Sequence, residues 1–222
     1  MGISEALWGA IVKGIGESLY MTLFSTLLAY LIGVPLGIAL WNSNENGLKP
    51  NKVLHRTLDI VVNIIRSVPF LILLVAIMPF TRIVAGTTIG PSATVVPLVV
   101  ASAPFVARLV ESSLKEVDEG VIEAGLAMGC SHTQLIFKVL LPEARPSLLS
   151  GGAIAITTIL GYSALAGFTG GGGLGAIAVN YGYYRYNYQV MIVTVILLVI
   201  IVQIFQEVGS RIVFKNDHRI KN

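Results

Sequence analysis

The chain has 222 residues, of which 55% are hydrophobic and only 12% charged, and its mean hydropathy is +0.80. Soluble domains carry about 25% charged residues, so a water-soluble fold is excluded: runs of about twenty apolar residues need a bilayer as solvent. The formal charge of +3 does not point to nucleic acid, since the basic residues flank apolar runs and form no single patch, and a lone Cys130 excludes an internal disulfide framework or a multi-cysteine metal site.

Residues 1–18 hold Glu5, Lys13 and Glu17 with no compact apolar core before a small-residue site, so no cleavable signal peptide is expected. Five stretches are long and apolar enough to cross a membrane: about 18–41, 60–80, 88–110, 147–168 and 189–213. The fold class is therefore an all-α polytopic membrane protein with five transmembrane helices. Orientation follows from the basic residues. Lys49, Lys52, Arg56 and Arg66, then Arg108, Lys115, Lys138 and Arg145, then Arg211, Lys215, Arg219 and Lys221 fall on one side, against Lys13, Arg82 and Arg185 on the other. The excess marks the cytoplasmic side, which places the N-terminus outside and the C-terminus in the cytoplasm.

The spans are not uniform rods. Gly33, Pro35 and Gly37 interrupt the first, Pro69 the second, and Pro91, Pro97 and Pro104 the third. Breakers of this kind survive where neighbouring helices or water satisfy the freed backbone groups. The fourth span carries Gly151, Gly152, Thr157, Thr158, Gly161 and Ser163, small residues that allow close helix approach. The middle spans are expected to form the core, while the fifth (QVMIVTVILLVIIVQIF) skirts it in lipid. Ser67, Pro69, Thr157, Thr158 and Ser163 are candidates for a polar translocation path, although tight packing accounts for the same composition.

Several energy sources and activities are missing. No ionisable residue is expected near a membrane midplane, which argues against a proton-coupled carrier. His55, His132 and His218 all lie in connections or the tail, so Ser163 has no base, and an enzyme is not expected. There is no G-x-x-x-x-G-K-[ST] phosphate loop. The run Gly170-Gly171-Gly172-Gly173-Leu174-Gly175 lacks the following lysine and reads as a turn between closely packed segments. No metal site and no cofactor are expected on this chain.

The polar stretch 118–146 reads as structured. Asp118 caps a helix with Glu119 in its first turn, and Val121, Gly125 and Met128 share a narrow face. Gly129 ends it, Ser131 opens a second helix with Gln134 at capping-box spacing, and Leu135, Ile136, Val139 and Leu140 share a face that Pro142 stops. From these residues alone, an interfacial anchor and a docking surface both remain open.

The same stretch resembles the EAA loop of importer-type ABC transporter permeases, E-A-A-x3-G-x9-I-x-L-P. Glu123, Ala124, Gly129, Leu141 and Pro142 match, with Gly125 for the second Ala and Val139 for the Ile. RSVPFLILL at 66–74 and GFTGGGGLGAIAVNYGYYRYN at 167–187 are similar to bacterial methionine-importer permeases. The resemblance implies a homodimer in the bacterial inner (plasma) membrane, with two cytoplasmic ATPase subunits holding ATP and Mg and an external substrate-binding (lipo)protein. It further implies ATPase coupling through Glu123, Ala124, Gly125, Gly129, Leu141 and Pro142. An importer for another small amino acid, or a self-contained channel or secondary carrier, is the alternative. Phe168, Tyr181, Tyr183, Tyr184 and Tyr186 form either an aromatic interface belt or a contact for the binding protein.

Overall fold

The structure is a computed structural model and describes residues 5–216; His218, Arg219 and Lys221, counted above for the tail, lie outside them. No β-strand occurs among the described residues. The helices are α1 (Glu5–Ser43), α2 (Lys52–Ser67), α3 (Phe70–Ala76), α4 (Met78–Ala85), α5 (Pro91–Lys115), α6 (Glu119–Ala127), α7 (His132–Gln134), α8 (Leu141–Glu143), α9 (Arg145–Leu165), α10 (Gly173–Ile177) and α11 (Tyr188–Asn216). Wider π-helical turns occupy Leu135–Leu140 and Ala178–Tyr183, and a 3-10 turn occupies Ala166–Thr169.

Four helical segments are long and apolar enough to span a membrane: Leu7–Ser43, Pro91–Lys115, Arg145–Tyr183 and Tyr188–Lys215. The span expected over 60–80, with Pro69 as its interruption, is three helical pieces. Helix α2 starts at Lys52, and α3 follows after a break with a bend of 102°, so the pair counts as a fifth span only if taken together. The cause is Pro69, which has no N–H and sits as N-cap of α3 with an extended ψ of 136°. A second break at Ile77 precedes Pro79 in the first turn of α4. By contrast, Pro97 and Pro104 do not interrupt α5, and Pro35 lies inside α1. Helix α1 begins at Glu5, well before position 18, and its early charges are accommodated along the helix by a Lys13–Glu17 pair at i, i+4.

The chain divides into two compact units. One takes the chain up to Ala29, Val68–Ser102 and Ala155–Gln206; the other takes Tyr30–Ser67, Ala103–Ile154 and the chain from Glu207. In the first, Ile11, Leu174, Ile177 and Val190 form the core, with Leu7, Ile15 and Val193 packed on it. The glycine run turns over Gly170–Gly172, as expected, but Gly173–Gly175 open α10, whose first backbone donors are satisfied inside the protein. Gly173 N–H donates to Glu17 Oε2 at 2.8 Å, and Leu174 N–H to Ser18 Oγ at 2.9 Å. Phe70 stacks on Tyr162 with ring centroids 4.6 Å apart.

In the second unit, Leu40, Val62 and Ala107 form a core with Leu36 and Leu58. There α1 meets α5 at very close range: a Cβ on Gly37 would lie 2.6 Å from both the Ala107 carbonyl oxygen and Val110 Cβ. Small residues at such a crossing let dispersion contacts replace the hydrophobic drive that lipid cannot supply. Burial confirms part of the expected layering. In the most apolar 18-residue windows, 61% of α5 is buried against 17% for the last helix, whose Val195, Ile196, Val199 and Ile200 are exposed. The segment containing α9, expected as core, is only 28% buried, with Ile154, Gly161 and Leu165 exposed along α9.

Gly37→Ala is expected to destabilise the protein by about 1–3 kcal/mol, because the added carbon meets backbone that cannot yield. Gly16→Ala, on the same helix with nothing within 4 Å, is expected to leave stability unchanged or raise it. Thermal unfolding of the two variants in detergent, side by side, checks the pair.

Candidate functional site

The 118–146 stretch folds back on itself as two short helical arms. Asp118 is the N-cap of α6 and its carboxylate accepts from Gly120 N–H at 2.7 Å. The arm ends at Gly129, whose φ of +80° lies in the left-handed region. Cys130 N–H reaches the Gly125 carbonyl at 3.1 Å and Gly129 N–H the Leu126 carbonyl at 2.9 Å, the paired bonds of a Schellman stop. Ser131 then opens α7 with both halves of a capping box: Gln134 N–H donates to Ser131 Oγ at 3.3 Å, and Ser131 N–H to Gln134 Oε1 at 2.9 Å. The two-helix expectation and both caps therefore hold.

The arms are held together by their apolar sides. Leu135 and Leu140 are fully buried, Ile136 nearly so and Val139 half-buried. A Cβ on Gly125 would meet Leu135 Cδ1 at 2.5 Å. Gly125 is thus small because the second arm lies on it. Met128 departs from the face it was expected to share with Val121 and Gly125. It is the C-cap, its backbone (ψ 4°) has left the helix, and its side chain is 78% exposed.

Pro142 does not stop the second arm. The chain widens into the π-helical turn Leu135–Leu140, where Leu141 N–H bonds the Ile136 carbonyl five residues back. Pro142 then falls in the first turn of α8, and Ala144 N–H bonds the Leu140 carbonyl at 2.8 Å, leading into α9. A widened turn tolerates a proline because the ring is relieved of the carbonyl it would strike in a regular helix. The arm is therefore in helical continuity with the span that follows, apart from the single turn at Ala144.

Of the motif residues, Glu123, Ala124, Gly129 and Pro142 are exposed, Leu141 is half-buried and Gly125 is buried. Among the described residues Glu123 makes no ion pair. The outward surface of α6 also carries Leu126 and Met128, and Phe137 stands out from the second arm at 59% exposure. These three fall between the motif positions, so spacing did not single them out. Their signal is an apolar side chain on an otherwise polar loop.

The residues expected along a polar path are not brought together by any described contact. The Ser67 hydroxyl is exposed and donates to its own helix at the Asn63 carbonyl, 2.7 Å away. Pro69 is exposed at the α2–α3 break, and Thr157 and Thr158 are half-buried on α9. Ser163 is 1% exposed and its hydroxyl donates to the Leu160 carbonyl at 2.8 Å, so it is packed and satisfied. The uncovered face of α9 runs instead through Ile154, Gly161 and Leu165 with Thr158 between them. Of the aromatic group, Phe168, Tyr183, Tyr184 and Tyr186 are exposed, while Tyr181 is half-buried under the Arg185 guanidinium at 4.6 Å.

The sequence did not single out one buried acid, which the structure holds well away from the middle of its span. Glu111, on α5, is only 2% exposed. It sits eight residues beyond the middle of the Pro91–Lys115 span, about 12 Å along the helix axis, and both of its oxygens are occupied by Arg108 and Lys115. An acid paired in this way is not a free relay group.

Comparison with known proteins gives three findings. Residues 16–214 match the family of binding-protein-dependent transport system inner membrane components. The chain is 48% identical over 203 residues to a probable D-methionine transport system permease protein (MetI) of Vibrio cholerae, covering 91% of this chain and 90% of that one. It superimposes with a TM-score of 0.95 and 46% identity on a chain of the MetNI methionine ABC transporter solved in inward-facing conformations, covering 97% of this chain and all of that one. A chain of an amino acid ABC transporter solved with histidines shares the fold alone, at TM-score 0.79 and 19% identity. With a helical, multiply spanning fold and a family match over nearly its whole length, the chain belongs to the inner membrane components of binding-protein-dependent transport systems.

Proposed function

We propose that the chain is the permease subunit of an ATP-driven methionine importer. It forms the translocation path as a homodimer and is driven by two separate cytoplasmic ATPase subunits. The observation that carries the reading is the 118–146 loop: a closed pair of helical arms whose outer surface presents Glu123, Ala124, Leu126 and Met128, none of them covered by the described residues. A loop that only anchored to lipid would put its apolar side chains on one stripe. Here the stripe is folded inward, and the outer surface mixes a carboxylate, small residues and apolar tips, as a protein cleft would require.

Methionine as substrate rests on the relatives, named for D-methionine transport, and on the methionine transporter structure. The path chemistry is compatible with it, since a zwitterion needs no deep counter-charge. The N-terminus lies outside and the loop and C-terminus lie in the cytoplasm, on the basic-residue count. An external binding protein delivers the substrate, ATP and Mg act on the partner, and alternating access is rocking of the two copies about the path. Glu123 faces a basic group of the ATPase, and Ala124 lets the arm sit close. Gly125 and Gly129 shape the arm from within, while Leu141 and Pro142 set its continuity with α9. Thr157 and Thr158, on the sparsely covered helix, are nearer the path than Ser163.

Reconstituted with its ATPase and binding protein, the chain is expected to take up methionine only with ATP inside reach of the ATPase. The chain alone should give no uptake above empty vesicles; uptake by the chain alone would establish a self-contained carrier instead.

Ala124→Trp fills an exposed position, so the chain should still fold and elute as before, while co-purifying ATPase falls at least tenfold. Gly129→Ala is expected to act differently: its left-handed backbone costs about 1–2 kcal/mol for a residue with a Cβ, lowering the thermal midpoint of the permease itself. Equal ATPase recovery with Ala124→Trp and wild type would refute docking through this face.

A further inference from the structure

Two loose ends of the loop lie on helices that must move with it if it transmits force. Helix α5 leads into it and α9 leads out of it, and the two are joined just above it by Ser147 Oγ donating to Ser113 Oγ at 3.0 Å. From α5 a second connection runs to α2. Arg108 Nη2 donates to Asp59 Oδ1 and, at 3.0 Å, to Asn63 Oδ1, while Asn63 Nδ2 donates to Asp59 Oδ2 at 3.1 Å. The other guanidinium nitrogen, Nη1, donates to Glu111 Oε2 at 2.6 Å, and Lys115 Nζ holds Glu111 Oε1 at 2.7 Å. Arg108 is thus the hub of a five-residue network whose buried acid, Glu111, is compensated from both sides.

Apolar contacts already hold α2 near α1 and α5 through Leu58 and Val62. Such contacts are non-directional and let a helix slide. A planar guanidinium that meets Asp59 and Asn63, one helical turn apart, does not: it fixes the register of α2 against α5. Removing Asp59 loosens that register while Arg108 keeps its Glu111 partner.

We propose that Arg108, paired with Asp59, is a positioning residue that makes α2 move together with the loop, so that ATPase closure is converted into displacement of the helix preceding the Pro69 break. This inference rests on the importer reading above. The pair is not needed for assembly, since α2 keeps its apolar packing and Glu111 keeps Arg108 and Lys115 when Asp59 is changed.

The experiment uses the complete complex in proteoliposomes, with methionine uptake and ATP hydrolysis measured in the same vesicles. Asp59→Asn keeps the volume and removes the charge. It is expected to lower methionine transported per ATP about tenfold, with hydrolysis within about twofold of wild type and normal subunit recovery. Asp59→Glu, which restores a carboxylate to Arg108, is expected to recover most of the ratio. An unchanged ratio in Asp59→Asn overturns the proposal. So does a parallel loss of hydrolysis and subunit recovery, which would make the pair a structural contact only. Failure of the wild-type complex to couple uptake to ATP would sink the importer reading itself, a different result.

Discussion

In hydrocarbon, a backbone N–H or C=O without a partner costs several kcal/mol, and no water is present to supply one. This constraint explains why the described chain is helical almost from end to end, and also where it is not. At three departures the protein itself supplies the missing partners. After the glycine turn, the start of α10 donates to Glu17 and Ser18 of α1. The loop begins and turns on the side chains of Asp118, Ser131 and Gln134. At Pro142, which has no N–H to give, the helix widens so that the bonding pattern resumes on the far side. Irregular backbone in this protein is placed with its satisfaction already arranged.

The loop has a mechanical character of its own. Its two arms are closed on each other through Gly125 and Leu135, and its second arm runs into α9 with only one intervening turn. A flexible connector would absorb a displacement; a closed, capped pair of arms would pass it on. The proposed transmission thus asks the chain for rigidity and for a surface, and for no chemistry. Polar groups elsewhere fit this economy. Glu111 is buried but paired through both oxygens, and Ser163 is buried but bonded to its own helix. In the proposed reading the energy comes from a partner, and these polar atoms serve shape.

Much of this was legible in the residues. Apolar runs with flanking basic residues specify a helical membrane protein, because burial in lipid depends on composition more than on neighbours. The capping residues Asp118, Ser131 and Gln134 were readable because a cap is a local bond between residues two or three apart. The spacing from Glu123 to Pro142 marked the loop for the same reason: a helical arm keeps its separations wherever it is docked. What failed was whatever depended on the third dimension. Gly125 was read as facing a partner, whereas Leu135 of the second arm covers it. Met128 was read as sharing a helix face with Gly125, whereas α6 ends at Ala127 and leaves Met128 exposed while Gly125 is buried. The stretch 60–80 was read as one span because its apolar composition is continuous, although Pro69 turns its direction.

Sequence alone therefore determined the class of the protein, the place of the loop and the bonds that cap its helices, since each depends on solvent or on near neighbours in the chain. Only the tertiary structure decided which surfaces remain open and which charges meet. Arg108 and Asp59 are 49 positions apart, and nothing in their local surroundings announces the other. Their pairing exists because α1, α2 and α5 converge on Leu40, Val62 and Ala107, and packing of that kind brings distant residues together without leaving a pattern in the chain.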